Sequence, residues 1–296
     1  STSLRLACVH RLGSSSCSER HLIMFYQWAY DLGFYYTNTY THVNDWIPCV
    51  QWFERHWWFF TLSAILYLPA VYLGIKFMKD RQPYNVDIHL KIWNLLMCVF
   101  SLAGTIYTIP VTAYTWYHYG WHGFVCGAEQ WPYEVGIAGE FIVVFIVSKA
   151  LEFVDTLLLI VRKKPIIFLH YYHHVITFLF TWYQGMFEFH FNGMGYFFSA
   201  MNYLVHFIMY GYYFMHSCGY RMSFLAKPLT TLQIIQMFFG LAAVITSMTC
   251  EYVDWFNSAF GLVLYGSFMF LFCRFFVMRY LMRPARSAPA KNKKID

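Results

Sequence analysis

The sequence predicts an all-α, polytopic membrane protein with seven transmembrane helices. Hydrophobic residues make up 59% of the 296 residues and charged residues only 12%, against about 25% charged residues in soluble domains. The chain also contains seven apolar runs, each close to the roughly 20 residues that a helix needs to cross a bilayer. These runs are 58–78, 91–115, 137–160, 166–184, 194–216, 228–249 and 256–279.

The loop charges predict how these spans are oriented. Lys and Arg residues are concentrated on the cytosolic side of membrane proteins. The loops after the first, third, fifth and seventh spans are basic, whereas the loops between them contain acidic residues and no Lys or Arg. We therefore expect a lumenal N-terminus and a cytosolic C-terminus. The net charge of +6 then reflects topology, and nucleic-acid binding is not expected.

The two ends of the chain are predicted to lie outside the helical bundle. Residues 1–50 are expected to form a lumenal, partly disordered segment, residues 51–282 the seven-helix membrane domain, and residues 283–296 a cytosolic basic tail. The last four residues, KKID, place Lys293 and Lys294 as in the dilysine retrieval signal of endoplasmic-reticulum membrane proteins. An ordinary basic tail is the alternative, and the predicted topology favours the signal.

The cysteines do not form a recognisable framework. There are eight, scattered along the chain without a CxxC pair. Cys126 and Cys250 both fall on the predicted lumenal side, where disulfides persist. Because the sequence does not show whether these two residues are close in space, the disulfide between them remains open.

Polar residues within the third span indicate a functional site. Lys149, Glu152, Asp155 and Thr156 share one helical face about 120° wide. A charge at the centre of a transmembrane helix costs on the order of 2.5–3.5 kcal/mol. A structural ion pair between Lys149 and Glu152 is the simpler interpretation, but it leaves Asp155 unexplained. We therefore favour a functional stripe that faces the interior of the bundle.

The next three spans each carry a polar stripe of their own. In the fourth span, three histidines cover an arc of about 100° on a helix. Met and Tyr residues of the fifth stripe could be ordinary packing, and buried glutamines of the sixth could hold helices together or contact a ligand. The stripes consist of His170, His173 and His174; of Asn202, His206, Met209, Tyr210 and Tyr213; and of Thr230, Gln233 and Gln236.

Depth along the helices predicts which side this site faces. At about 1.5 Å per residue, Asp155 lies about 10 Å from Arg162, and His170 about 9 Å from Lys164. The stripes therefore converge in the cytosolic half and end at the basic residues Arg162, Lys163 and Lys164. We expect a substrate tunnel open to the cytosol. It would accept an anionic headgroup at its mouth and a long apolar tail deeper in the bundle, as in an acyl-CoA.

Four motifs carry a family resemblance. The segments KALEFVDT, HYYHH, HFIMYGYY and TTLQIIQ resemble, in order, the KxxExxDT, HxxHH, HxxMYxYY and TxxQxxQ signatures of the ELO family of very-long-chain fatty acid elongases. The general resemblance covers residues 50–282. It implies a 3-ketoacyl-CoA synthase of the endoplasmic reticulum, which condenses a long-chain acyl-CoA with malonyl-CoA and releases carbon dioxide and CoA. Tyr171 and Tyr172 resemble the HWYHH branch, which acts on saturated and monounsaturated chains.

The resemblance also implies roles for the histidines. His173 would attack the acyl thioester and carry the acyl group, while His170 and His174 would orient it or relay protons. Helical periodicity does not distinguish His173 from His174, so the choice between these two remains open. His206 would assist decarboxylation or stabilise the enolate. Asp155 would set the tautomers of the histidines through hydrogen bonds.

The remaining polar residues are expected to contact the substrates. Asn202 and Gln233 would be neutral donors, and Lys149 would pair with Glu152 or with a substrate oxygen. Tyr210, Tyr213, Gln236 and the basic residues Arg162, Lys163 and Lys164 complete the predicted substrate site.

The resemblance implies partners but no cofactor. Besides acyl-CoA, malonyl-CoA and the lipid bilayer, the expected partners are the ketoacyl reductase, the dehydratase and the enoyl reductase of the elongation cycle. No metal or cofactor is expected, and a homo-oligomer remains open.

Two other classes of protein share parts of this pattern. A membrane di-iron desaturase or hydroxylase also uses HxxHH, and imidazole is a good iron ligand. However, the only other close pair, His118 and His122, falls on the predicted lumenal side, about 20–30 Å away across the bilayer. A seven-helix receptor is disfavoured because the last span has no NPxxY and VRKKP closes the third span. A transporter is harder to exclude by principle, although no internal repeat and no Gly- or Pro-broken helix pair is evident.

Overall fold

A computed structural model describes residues 52–127, 136–187, 194–220, 222–251 and 253–282, and within these ranges every regular element is helical. A 3₁₀ turn at Ser223–Leu225 precedes α7, and a π-helical turn at Val277–Leu281 follows α8. The helices are α1 Trp57–Met78, α2 Asp87–Cys126, α3 Gly136–Leu151, α4 Phe153–Val161, α5 Phe168–Phe187, α6 Met194–Ser217, α7 Ala226–Ser247 and α8 Trp255–Phe276. The predictions for residues 1–50 and 283–296, including Lys293 and Lys294, lie outside the described residues.

Two helices differ from the predicted spans. The second span, predicted as 91–115, is a 40-residue helix that turns sharply at Gly120, whose φ of 64° favours a residue without a side chain. The third span, predicted as one helix over 137–160, is divided at Glu152 into α3 and α4. Apolar periodicity does not report such local interruptions, because the residues on both sides remain apolar.

Within the described ranges, four helical stretches are long and apolar enough to cross a membrane, which supports a multi-pass membrane protein. They are Trp57–Met78, Asp87–Cys126, Ser223–Ser247 and Trp255–Leu281. The other three predicted spans do not meet both criteria. The helices α3 and α4 are too short individually. The helices α5 and α6 are long enough but rich in His, Tyr, Asn and Gln residues, which lower their mean hydropathy.

One end of the bundle, here called the basic end, is defined by Lys79, Arg81, Lys163 and Lys227. The ammonium group of Lys163 donates to the carbonyl oxygens of Lys79 at 2.8 Å and Arg81 at 2.9 Å. The ammonium group of Lys227 lies 5.7 Å from the ring centre of Phe276. These contacts bring the end of α1 to the end of α4, and the start of α7 to the end of α8.

The opposite end, here called the disulfide end, is defined by Cys126, Cys250 and Asp254. The sulfurs of Cys126 and Cys250 are joined, with Cα atoms 5.2 Å apart, which answers the question that the sequence left open. The indole nitrogen of Trp121 also donates to Thr246 at 2.8 Å, and the hydroxyl of Tyr183 donates to Asp254 at 3.1 Å. The ends of α2 and α7 therefore meet here, and the end of α5 meets the start of α8.

Two glycines allow the close helix packing around the interior. A Cβ at Gly104 of α2 would lie 2.4 Å from the ring of Tyr203 on α6, and one at Gly240 of α7 would lie 2.2 Å from the ring of Tyr265 on α8. Both tyrosine rings are buried. The close contact of α2 with α6, and of α7 with α8, places the polar faces of α3, α5 and α6 around a common interior.

Candidate active site

A buried ion pair joins α3 to α6. The ammonium group of Lys149 donates to Glu152 at 2.5 Å and to the carbonyl oxygen of the Asn202 side chain at 2.7 Å. Lys149 and Glu152 are each only 2% exposed. The Nδ1 of His206 lies 3.5 Å from the same Glu152 oxygen. The pair that the sequence could explain as purely structural is therefore in direct contact with two other predicted site residues.

Asp155 lies in a different environment from the expected one. Its two carboxylate oxygens accept hydrogen bonds from the hydroxyl of Tyr210 at 2.6 Å and from the indole nitrogen of Trp93 at 2.7 Å. It therefore holds α2 and α6 together and does not orient a histidine, as the sequence analysis had expected. The neighbouring residue Thr156 contacts the histidine, since its hydroxyl lies 2.8 Å from the Nε2 of His170. Adjacent residues on a helix face directions about 100° apart, so both cannot face the same partner.

The three histidines of the box face different neighbours. His170 reaches Thr156, whose hydroxyl is also 2.7 Å from that of Tyr67. His174 is 8% exposed, and its Nδ1 has no hydrogen-bond partner among the described residues. His173 packs on the ring of Phe268, with ring centres 5.0 Å apart. Of the three, His173 is the one that borders the interior cavity.

The cavity has a volume of about 70 Å³ and mostly apolar walls. It follows α5 from His173 to Gln184, eleven residues along the helix, or about 16 Å. Besides His173 and Gln184, its polar lining is formed by Thr177, Thr181, Asn202 and Gln236. Its apolar lining comes from α3, α5, α6, α7 and α8 and includes Ile142, Phe145, Ile146, Phe180, Phe198, Met237, Leu264, Tyr265 and Phe268.

Several predicted site residues lie away from this cavity. The side-chain nitrogen of Gln233 lies 3.7 Å from the sulfur of Met209, and the hydroxyl of Thr230 donates to the carbonyl of Ala226 at 3.1 Å. Tyr213 is 42% exposed, and its ring centre is 6.4 Å from that of Tyr210. These residues surround the site without lining the cavity.

The basic loop also divides into two kinds of residue. Lys163, with a φ of 52°, uses its ammonium group to hold two backbone carbonyls of the loop after α1. Lys164 is exposed and Arg162 is partly buried. Of these three residues, Lys163 is the one committed to a structural contact.

Sequence reasoning missed three residues of this site. Trp93 and Tyr67 hold Asp155 and Thr156, and Gln184 closes the far end of the cavity. Buried Trp and Tyr residues need a partner for their polar atoms. With 11 Trp and 25 Tyr residues in the chain, however, that requirement selects no particular one.

The other histidine pair lies far along the chain from the box. His122 is close to the disulfide, with its Nε2 3.4 Å from the sulfur of Cys126 and 3.3 Å from the hydroxyl of Thr249. Among the described residues, no three His, Cys, Asp or Glu side chains are grouped so that they would hold a metal ion.

A comparison with protein families decides the relationship. A profile of the ELO: GNS1/SUR4 family matches residues 52–288. The chain belongs to this family. The matched segment contains every cavity residue and all four motifs, so the resemblance drawn from those motifs is confirmed.

Individual relatives agree with this membership. The chain is 31% identical over 250 residues to "Putative fatty acid elongase 3" of Caenorhabditis elegans, covering 82% of this chain and 77% of that protein. It is 34% identical over 250 residues to "Very long chain fatty acid elongase 4" of Trypanosoma cruzi, covering 78% and 85%. It is 33% identical over 232 residues to "Long chain fatty acid elongase 1" of Caenorhabditis elegans, covering 75% and 78%.

Proposed function

We propose that this ELO family member is the condensing enzyme of fatty acid elongation, a 3-ketoacyl-CoA synthase. The observation that carries this proposal is the position of His173, which borders a long, mostly apolar cavity beside Asn202 and Gln236. A nucleophilic imidazole at the mouth of an apolar cavity suits the transfer of a fatty acyl group. The names of the relatives support the same reaction class.

We assign the acyl chain to the cavity, with the methyl terminus of the chain pointing towards the disulfide end of the bundle. Its thioester then lies at His173, and the CoA portion extends towards the basic end. Arg162 and Lys164 bind the phosphates of CoA, whereas Lys163 stabilises the loop. This arrangement is the substrate tunnel expected from the sequence, open at the basic end.

In the first half of the reaction, a ring nitrogen of His173 attacks the thioester carbon. The C–S bond breaks, CoA leaves with the proton that the imidazole loses, and the acyl group remains on the ring. Gln236 takes the donor role that the resemblance gave to Gln233, because Gln236 lines the cavity and Gln233 contacts Met209. Its amide hydrogens stabilise the oxygen that becomes negative during the attack.

In the second half, malonyl-CoA loses its carboxylate as carbon dioxide, and the electrons of the broken C–C bond form an enolate. The enolate carbon attacks the acyl carbon, the C–N bond breaks, and His173 recovers a proton from solvent. Lys149 binds the oxygen of the Asn202 amide and so leaves its NH₂ group to donate to the enolate oxygen. Glu152 stabilises the Nδ1–H tautomer of His206, which presents Nε2 to the malonyl group.

The cellular setting is part of the same proposal. We propose that the chain crosses the endoplasmic-reticulum membrane seven times with its basic end in the cytosol. The active site would then lie on the cytosolic side, where the ketoacyl reductase, dehydratase and enoyl reductase would act next. Saturated and monounsaturated long-chain acyl-CoAs are the proposed substrates, as the HYYHH box suggests. Protease protection of tags at the two termini of microsomal protein tests the orientation.

The condensation itself is tested with labelled malonyl-CoA. Purified protein in lipid vesicles should transfer two carbons from malonyl-CoA to a long-chain acyl-CoA and release carbon dioxide in equal amount. Binding of acyl-CoA without decarboxylation of malonyl-CoA would instead indicate a transporter or another binding protein. Measured iron content distinguishes the desaturase or hydroxylase, and we expect none.

Replacing Gly240 with alanine should shorten the accepted acyl chain. The new Cβ would lie 2.2 Å from the ring of Tyr265, which lines the cavity, so the ring must move. Activity on the longest accepted acyl-CoA should fall by about tenfold or more, as expected when a hydrophobic pocket loses room for a methylene. Activity on short chains should change little.

The matched control is Gly266→Ala on α8, where nothing lies within 4 Å of the added Cβ. Rates across an acyl-CoA length series should be the same for this variant and the unmodified protein. Equal length profiles for the Gly240 and Gly266 variants would show that Tyr265 does not bound the acyl site.

A further inference from the structure

The far end of the cavity is polar, although the walls that lead to it are apolar. Gln184 lines this end, and its carboxamide nitrogen donates to the side-chain oxygen of Asn257. Asn257 is only 1% exposed. The hydroxyls of Ser247 and Ser258, also buried, lie 2.9 Å apart at the same end of α7 and α8. Of these residues Gln184 lines the cavity, and the buried Asn257 supports it from behind.

One polar atom of Gln184 remains open. A carboxamide has one acceptor oxygen and two N–H donors, and Asn257 uses only one of these groups. Among the described residues, Gln184 makes no other hydrogen bond, and its carboxamide is only partly buried. In the present rotamer the side-chain oxygen of Gln184 lacks a hydrogen bond. If the amide group is rotated by 180°, the nitrogen lacks one instead.

A hydroxyl group satisfies either orientation, because it both donates and accepts a hydrogen bond. The methyl end of an ordinary acyl chain satisfies neither, and it would leave the remaining polar atom of the partly buried carboxamide without a hydrogen bond. Building on the proposed function, we propose that the cavity accepts acyl-CoAs that carry a hydroxyl at the end remote from the thioester. Gln184, supported by Asn257, is the subsite for that hydroxyl.

The test compares two series of acyl-CoAs of 12 to 20 carbons, plain and with a terminal hydroxyl. Incorporation of labelled malonyl-CoA is measured at each length in lipid vesicles. At the length that reaches Gln184, the hydroxylated substrate should have a kcat/KM at least about tenfold above that of its plain counterpart. A higher kcat/KM for the plain chain at every length would overturn the proposal.

Two variants and a control assign the effect to the subsite. The double variant Gln184→Leu/Asn257→Leu replaces both hydrogen-bonding partners with apolar side chains, a change that a fold tolerates better than the loss of one partner. It should lose the preference for the hydroxylated chain while it still elongates the plain one, and Gln184→Leu alone should do the same. A preference retained in the double variant would assign the hydroxyl to another place and overturn the proposal.

The control is Thr181→Val, one turn closer to His173 on the same wall, where the hydroxyl already donates to the carbonyl of Phe178 at 3.3 Å. This variant should keep the unmodified preference. Failure of the proposed function is distinguishable, because the unmodified protein would then incorporate no malonyl-CoA with either series. If plain chains are elongated and the hydroxyl has no effect on kcat/KM, the hydroxyl subsite is wrong and the proposed function still holds.

Discussion

Replacing His173 with alanine is expected to reduce malonyl-CoA incorporation on the order of 10⁶-fold, as for removal of the nucleophile of a serine protease. His173 is the histidine of the HYYHH box that borders the cavity, so no neighbour takes its place. Intact mass after incubation with acyl-CoA alone measures the first half of the reaction. The unmodified protein should gain the mass of one acyl group, and the variant should gain none.

The control for this experiment is His216→Ala. His216 lies near the end of α6, exposed and stacked on Tyr212, away from the cavity. Its replacement should leave both the adduct and the turnover unchanged. An acyl adduct that persists in the His173 variant and disappears in a His174→Ala protein would transfer the nucleophilic role to His174.

Replacing Glu152 with alanine is expected to destabilise the fold by about 3–5 kcal/mol, because it leaves the buried ammonium group of Lys149 without a counter-charge. Both residues are 2% exposed, so water does not compensate for the loss. The free energy of unfolding in detergent, followed by helical circular dichroism, measures the change. Expression of folded protein in the membrane should fall in parallel.

A double variant separates stability from catalysis. In Lys149→Met/Glu152→Leu, apolar side chains of similar size replace both charges, and most of the lost stability should return. Activity should not return, because the amide of Asn202 and the imidazole of His206 lose the groups that orient them. Full activity in the double variant would contradict the proposed role of the ion pair and leave it a purely structural element.

The motifs predicted the identity of the site residues more accurately than they predicted the contacts that each residue makes. Lys149, Glu152, Asn202 and His206 meet in one cluster, as their shared helical faces suggested. Asp155 was placed on the correct interior face, yet its partners are Tyr210 and Trp93 and not a histidine. Helical periodicity predicts the direction of a side chain to within about a quarter turn. A hydrogen bond, in contrast, requires the donor–acceptor distance to be correct to within a few tenths of an ångström.

The same limit explains the basic loop and the two glutamines. Arg162, Lys163 and Lys164 are equivalent in sequence, but the positive φ of Lys163 turns its chain back onto the loop after α1. Gln233 and Gln236 lie three residues apart on one face of α7, and only Gln236 lines the cavity. The difference depends on where α6 and α8 pack against α7, which no residue of α7 specifies by itself.

The sequence by itself determined the helical membrane class, the family and the identity of the polar residues, because apolar length, charge distribution and motif spacing are local properties of the chain. Only the tertiary structure decided that His173 is the box histidine at the cavity, that Trp93 and Tyr67 hold the residues beside it, and that Gln184 and Asn257 close its far end. Each of these contacts joins helices separated in sequence, so it depends on how the helices pack and not on the pattern within any one of them.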